Sequence, residues 1–234
     1  MGQFVQAIGE AFGLLTSTGN GLWEIIWLSI AVSGTATLIG LVVGLPAGFM
    51  LGTNDFAGKR WTLTLVNTGM AFPPVVIGLV VFMLLSRNGP LGNMELLYTA
   101  PAMVIAQIVL AVPLIAGVSA ASIAQVPREL ALQARSLGAS RLQESWLILK
   151  EARAGVLAAI VAGFGGAISE VGAVQMVGGN IEGQTRVMTT FIMMETRKGE
   201  YGRALALGFI LLGLAFVVNG ILTVMQQSGA RDER

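Results

Sequence analysis

A chain without histidine or cysteine has few means of acid–base or nucleophilic chemistry, and this one has neither. Imidazole catalysis, thiolate nucleophiles, His/Cys zinc sites and disulfide frameworks are excluded together. What remains falls into a few small groups. Glu170, with Ser169 beside it, is the one ionisable residue in the run 154–181. An intramembrane carboxylate is a functional candidate because its burial is costly unless it is solvated or paired. Three roles are open to it: a hydrogen-bonding anchor facing the interior of a dimer, part of a gate near an outer mouth, or a proton relay. Pro73 and Pro74 interrupt another apolar run and must kink or break its helix, with the freed carbonyls facing protein or water. Gln184, Thr185, Arg186, Thr189 and Thr190 cluster hydrogen-bond donors of the kind that suit a tetrahedral dianion. The same groups can equally cap a helix or dock a partner. Gly52 to Arg60 resembles a phosphate loop only superficially. It has five residues between its glycines, and Arg60 stands where Ser or Thr must hold magnesium. A turn between two spans is the plainer reading.

Composition supplies the setting for these residues. Of 234 residues, 54% are hydrophobic and 12% charged, with 31 glycines and a net charge of +1; mean hydropathy is +0.76. A soluble domain carries about 25% charged residues, so this chain belongs in lipid, and nothing in its charge suggests nucleic acid as a partner. Residues 25–54, 61–86, 96–127 and 204–230 contain no charge, and 154–181 contains only Glu170. A spanning helix needs about 20 apolar residues, which predicts five helices near 22–51, 61–86, 98–122, 153–178 and 204–226 in a single domain, 1–234. Residues 4–16 can add a short interfacial helix.

Five spans put the two termini on opposite sides, and basic residues mark the cytoplasmic one. With the N-terminus outside, the inner side receives Lys59, Arg60, Arg128, Arg135, Arg141, Lys150, Arg153, Arg231 and Arg234. The outer side receives Arg87, Arg186, Arg197, Lys198 and Arg203. Nine against five predicts N-out and C-in, with the basic cluster at 197–203 as the dissenting feature. The start of the chain lacks the basic region of a signal peptide, and Gln6 stands where a myristoylation signal needs Ser or Thr, so no lipid anchor is expected. Gly40, Gly44 and Gly48 form overlapping small-xxx-small repeats, read as close helix packing, with dimerisation as the alternative.

The segment 123–152 is the longest polar interval between spans. Pro127 suits a first helical position, Glu129 lies in the first turn, and Leu130, Ala134 and Leu137 draw one apolar face. Gly138 follows as a helix stop. Ser140 and Gln143 form a capping-box pattern for a second helix carrying Leu142, Trp146 and Leu149 toward the next span. A compact helix–turn–helix of this kind fits a groove on a partner; lying on the membrane surface is the alternative.

The run Pro127-Arg-Glu-Leu-Ala-Leu-Gln-Ala-Arg-Ser-Leu-Gly-Ala-Ser-Arg141 resembles the EAA loop of type I ABC importer permeases. Where that family has Glu-Ala-Ala three residues before the glycine, this chain has Leu132-Gln133-Ala134, and Lys150 replaces a frequent proline. Ala71-Phe-Pro-Pro-Val-Val-Ile-Gly-Leu79, Ser86-Arg-Asn-Gly-Pro-Leu-Gly92 and Ser169-Glu-Val-Gly-Ala-Val-Gln-Met-Val-Gly-Gly-Asn180 resemble permeases for molybdate, tungstate and sulfate. The stretch from Gly178 to Gly199 is most similar to the tungstate type. The resemblance implies an all-α membrane protein with the type I importer permease fold and a cytoplasmic coupling loop, in a prokaryotic inner membrane. Two copies would pair around a pathway, two ATPases would bind inside, and an extracytoplasmic oxyanion-binding protein would deliver substrate. It implies ATPase coupling through Glu129, Ala134, Arg135, Leu137, Gly138, Ala139, Ser140 and Arg141. Neither a catalytic residue nor a cofactor is expected in this chain; ATP and magnesium belong to the ATPase. From other classes, the sequence leaves open a proton-coupled secondary transporter using Glu170 and a non-transporting scaffold. A membrane enzyme is disfavoured for want of a nucleophile–base pair.

Overall fold

The computed structural model describes residues 2–16 and 21–231, and among them the regular structure is entirely helical. Arg234, counted above on the inner side, lies outside the described residues, as does the side chain of Arg231. Helix α1 covers Gly2–Thr16, α2 Leu22–Thr53, α3 Lys59–Met70 and α4 Pro74–Leu85. A single 3-10 turn at Gly92–Met94 precedes α5, Ala100–Ile123. Then come α6 Arg128–Ser136, α7 Arg141–Glu151, α8 Arg153–Ser169, α9 Gly172–Gly178, α10 Met188–Lys198 and α11 Tyr201–Arg231.

Among the described residues, three helices are long and apolar enough to cross a membrane: Leu22–Thr53, Ala100–Ile123 and Tyr201–Ile221. Two bent pairs raise the number to five if each counts as one span. The continuous helix expected over 61–86 is instead α3 and α4, with axes 96° apart. The cause is chemical. Pro73 and Pro74 donate no N–H, so α3 ends in short-range bonds from Ala71 N–H to Thr68 O and from Phe72 N–H to Gly69 O. Pro73 adopts φ −62°, ψ 119°, and Pro74 then occupies the first turn of α4, where its missing donor does no harm. The helix expected over 153–178 also breaks, with a 54° bend between Arg153–Ile168 and Gly172–Gly178. Glu170 therefore stands at a junction and not inside a helix. By contrast, Pro46 and Pro113 sit within α2 and α5 without ending them.

The chain divides into two compact units, one made of the described residues of Met1–Ala36, Pro73–Val109 and Gly165–Val218. Its core gathers Leu22, Ile25, Ile26, Met188, Phe191, Ala206, Leu207 and Ile210. Ser29 Oγ accepts the Met188 N–H at 2.9 Å, and Gln107 Nε2 donates to the Ala167 carbonyl at 2.8 Å, so polar side chains complete backbone hydrogen bonding in an apolar setting. Helix α4 lies on α9 so closely that a β-carbon at Gly78 would stand 2.6 Å from Ala173 Cα.

The other unit comprises the described residues of Thr37–Phe72, Leu110–Phe164 and Asn219–Arg234. Here the glycine repeat of α2 meets α5. Added β-carbons at Gly40, Gly44 and Gly48 would lie 3.1 Å from Ala111 Cβ, 3.0 Å from Val112 O and 2.7 Å from Ala116 O. Gly52 continues the row against Ile123. Packing within one chain is thus what these glycines do, and dimerisation through them is set aside because the face is occupied.

A steric prediction follows from those distances. Gly48→Val should lower the thermal midpoint of the detergent-solubilised protein, at a cost of about 1–3 kcal/mol for overpacking. Gly34→Ala, where nothing lies within 4 Å of the added carbon, should leave the midpoint within about 0.5 kcal/mol of the parent. Equal midpoints for the two variants, read by intrinsic fluorescence, would contradict the packing described.

Candidate functional site

Of the segments singled out in the sequence, 127–151 is the best defined. Helix α6 begins at Arg128, one residue later than expected, because Pro127 is the N-cap with extended ψ of 131°. At its other end, Gly138 N–H bonds to Arg135 O at 3.0 Å and Ala139 N–H to Ala134 O at 3.0 Å. This is the paired closure of a Schellman motif, which requires a left-handed residue after the cap. Gly138 supplies it with φ +86°. Two residues on, Ser140 Oγ accepts the Gln143 N–H and Gln143 Oε1 accepts the Ser140 N–H at 2.8 Å. That is the reciprocal capping box anticipated from sequence. Both sides of the elbow are therefore fixed by local hydrogen bonds.

The apolar face differs from the one expected. Leu130, Ala131 and Ala134 are half-buried, but Leu137 is 87% exposed because it caps the helix instead of continuing it. On α7 the buried residues are Glu144 and Ile148; Leu142 is 83% exposed and Trp146 is also exposed, so neither packs toward the next span. Ile148, with Ala152 and Ile123, anchors α7 in a cluster that Phe49, Val126 and Ala131 join from its edge. Leu132, Leu137, Leu142 and Trp146 are apolar side chains that this chain leaves uncovered on a highly charged segment.

Ion pairs complete the element. Arg135 grips Glu144 in bidentate fashion, Nε to Oε2 and Nη2 to Oε1, both at 2.7 Å. Asp55, in the loop between α2 and α3, accepts from Lys59 Nζ at 3.0 Å and Arg128 Nη2 at 3.1 Å. The former phosphate-loop lookalike is thus a turn that ties down the start of α6. The hydrogen bond from Arg135 holds the Glu144 carboxyl below its ordinary range, with burial opposing. Lys59, then Arg128, does the same for Asp55, and Glu144 in turn raises Arg135. These groups, with Phe49, line a polar cavity of about 1120 Å³.

The two proline- and carboxylate-marked breaks come together. Pro73 and Pro74 lead into α4, Ser169 and Glu170 into α9, and these helices pack on each other through Gly78–Ala173 and Gly172–Val75 contacts. Glu170 Oε1 accepts the Ala173 N–H at 2.9 Å and so completes the first turn of α9. Ser169 Oγ bonds back to Gly165 O at 2.7 Å.

In the segment 179–200 the threonines are engaged locally. Thr185 is buried and joins Gly178 O to Ile181 N–H; Thr189 donates to Glu170 O at 2.9 Å; Thr190 accepts the Val187 N–H at 3.1 Å. Gln184 is exposed. Arg186, 13% exposed at its side chain, pairs with Glu182 at 3.1 Å and stacks 5.4 Å from the Phe191 ring. Arg203 takes a similar place over Phe191 at 5.5 Å and lies 3.7 Å from buried Glu195, which Lys198 approaches at 2.8 Å. Sequence reasoning passed over Glu195 and Glu144 as carboxylates among many; the i, i+3 spacing of Glu195 and Lys198 was the available signal.

Helix breaks, elbow and long apolar helices together define a multi-span membrane protein with a polar helix–turn–helix between spans. Residues 44–228 match the family described as binding-protein-dependent transport system inner membrane component. The chain is 41% identical over 227 residues to the tungstate uptake system permease protein TupB of Peptoclostridium acidaminophilum, covering 97% of this chain and all of that one. It is 42% identical over 205 residues to a "probable anion ABC transporter permease protein" of Haloferax volcanii, covering 86% and 88% of the two chains. The fold superposes on a bacterial ABC transporter involved in the import of the acidic polysaccharide alginate, with a TM-score of 0.75 over 94% of this chain and 83% of that one, at 20% identity. The chain belongs to the binding-protein-dependent permease family. It is the non-catalytic, multi-pass inner-membrane subunit of an ABC importer, a class that works with a separate ATPase and a binding protein. The proton-coupled alternative built on Glu170 is thereby set aside.

The carboxylates make a pH prediction. Because Glu144 and Asp55 are lowered in the folded protein, their pairs contribute fully above the ordinary values of 4.5 and 3.8 and lose that contribution as pH falls below them. Protection of the α6 amides against hydrogen exchange, corrected for the intrinsic rate at each pH, should hold from neutrality to the ordinary Glu value and then decline. A decline already complete at pH 6 would contradict this assignment.

Proposed function

We propose that this chain forms, as a homodimer, the translocation pathway of an importer for a tetrahedral oxyanion, tungstate above molybdate or sulfate, delivered by an extracytoplasmic binding protein. The substrate assignment is supported by a full-length TupB relative and by the anion permease relative. The N-terminus lies outside and the C-terminus inside, as the nine-to-five distribution of basic residues favours. The segment 127–141 then faces the cytoplasm and meets the ATPase, which holds ATP and magnesium.

The observation that carries this reading is the uncovered apolar set at the elbow. Leu137 and Leu142 project almost fully exposed beside Gly138, on a segment whose charges, Arg128, Glu129, Arg135 and Arg141, keep it out of the bilayer. Apolar side chains framed by charge are the anatomy of a protein–protein contact. The tight corner made by Gly138, Ala139 and Ser140 lets a cleft on the ATPase close around it, with Ala134 behind. Closure of two ATPases draws the elbows of the dimer together and turns the spans as near-rigid bodies.

The pathway is lined at the junctions marked by Pro73, Pro74, Ser169 and Glu170, where interrupted helices are tolerated because protein or water faces them. Glu170 serves there as a fixed anchor, not an anion ligand, since its charge repels the substrate. Gln184 and Arg186 are the contacts for the anion or its binding protein; Thr185, Thr189 and Thr190 shape the loop that presents them. Weak binding in the pathway lets the anion leave.

In proteoliposomes, tungstate uptake should require this chain, the ATPase, the binding protein and ATP together. Gly138→Trp should reduce co-purification of the ATPase at least tenfold while leaving helical content unchanged, because an indole ring at φ +86° fits neither the backbone nor a tight cleft. Uptake by the chain alone, driven by a pH gradient, would overturn the proposal.

A further inference from the structure

The elbow contains a bidentate ion pair that belongs to neither of its two local caps. Helix α6 is nine residues long and buries none of its side chains. A helix that short is not stable by itself, and apolar packing holds it only through half-buried neighbours such as Ala131. Helix α7, in contrast, is seated by Ile148 in the Ile123–Ala152 cluster. What joins the loosely seated helix to the firmly seated one is the turn at Gly138, where nothing lies within 4 Å of an added β-carbon, and the two-pronged grip of Arg135 on Glu144. Glu144 is only 8% exposed, although it carries a charge. An ionised side chain in such a place is held by its partner, and losing the partner interaction is costly. The far end of α6 is tied separately, by Arg128 to Asp55.

We infer that Glu144 is a positioning residue for energy coupling: by clamping Arg135 it makes α6 and α7 a single lever about Gly138, so that displacement of α6 reaches α7 and the adjoining span. The inference rests on the proposed docking of the ATPase at 127–141. The geometry supports a lever and not a mere cap, because the elbow is already closed by its own hydrogen bonds on both sides. The clamp adds what a single left-handed residue cannot, a second fixed connection between the helices, from a residue one turn before the elbow to one after it. Two connections transmit torque; one acts as a hinge.

The test uses the reconstituted complex of permease, ATPase and binding protein. Glu144→Gln is isosteric and removes the charge that receives the guanidinium. It should co-purify with the ATPase as the parent does, hydrolyse ATP, and import at least tenfold less tungstate per ATP. Spin labels on Gln133 of α6 and Ser145 of α7 should show a narrow distance distribution in the parent and a broad one in the variant. Glu144→Asp keeps the charge with a shorter reach and should fall between them; it also serves if the Gln variant does not fold. Import per ATP equal to the parent in Glu144→Gln would overturn the inference and leave ATPase docking standing. Loss of ATPase co-purification in that variant would also overturn it, because the pair would then be shaping the docking surface. Failure of the unsubstituted chain to bind the ATPase would instead overturn the docking proposal itself.

Discussion

Every polar group of the backbone must find a partner in a medium that supplies almost no water, and the architecture of this permease follows from meeting that demand where helices stop. Continuous helices satisfy it internally. The breaks do not, and at three of them the closing device is plain. After α3, the proline pair removes two donors that would otherwise need acceptors. Before α9, the Glu170 carboxylate receives the Ala173 N–H, and its own carbonyl receives the Thr189 hydroxyl. Before α10, Ser29 receives the Met188 N–H and Thr190 receives that of Val187. At these last two junctions side chains take up backbone groups that the interrupted helices leave free.

Two carboxylates outside the long apolar helices lie beneath more exposed cations, Glu144 beneath Arg135 and Glu195 beneath Lys198 and Arg203, whereas Asp55 and Glu182 are more exposed than the Lys59 and Arg186 that pair with them. Removing the cation from over a nearly buried carboxylate costs more than breaking a pair at the surface. The Glu144 pair joins α6 to α7 across the turn at Gly138, and Arg203 brings the start of α11 to the carboxylate of α10.

Much of this was legible in the residues. Runs without charge located the long helices because lipid tolerates few charged side chains, and the cap pattern of Ser140 and Gln143 appeared as read because it depends on four residues alone. Proline 73 announced its break for the same local reason. The misreadings concern facing. Leu137, Leu142 and Trp146 follow helical spacing, yet they are exposed; periodicity shows that a face exists, while which face is covered depends on neighbours distant in sequence. The break at Glu170 escaped because no proline marks it: the carboxylate itself caps the new helix, and a lone charge in an apolar run looks the same whether it lies within a helix or between two. The grip of Arg135 on Glu144 crosses a turn whose geometry must be known before the two can be paired.

The row of glycines on α2 has a mechanical consequence. Its four-residue repeat rises about 6 Å per step, and each notch receives backbone or a small side chain of α5, with Ile115 and Ile123 standing as teeth. A rack meshed in this way resists creeping. Any slip short of a whole notch drives a tooth into a wall, so the two helices travel as one piece, and the compliance that transport demands has to reside in other joints.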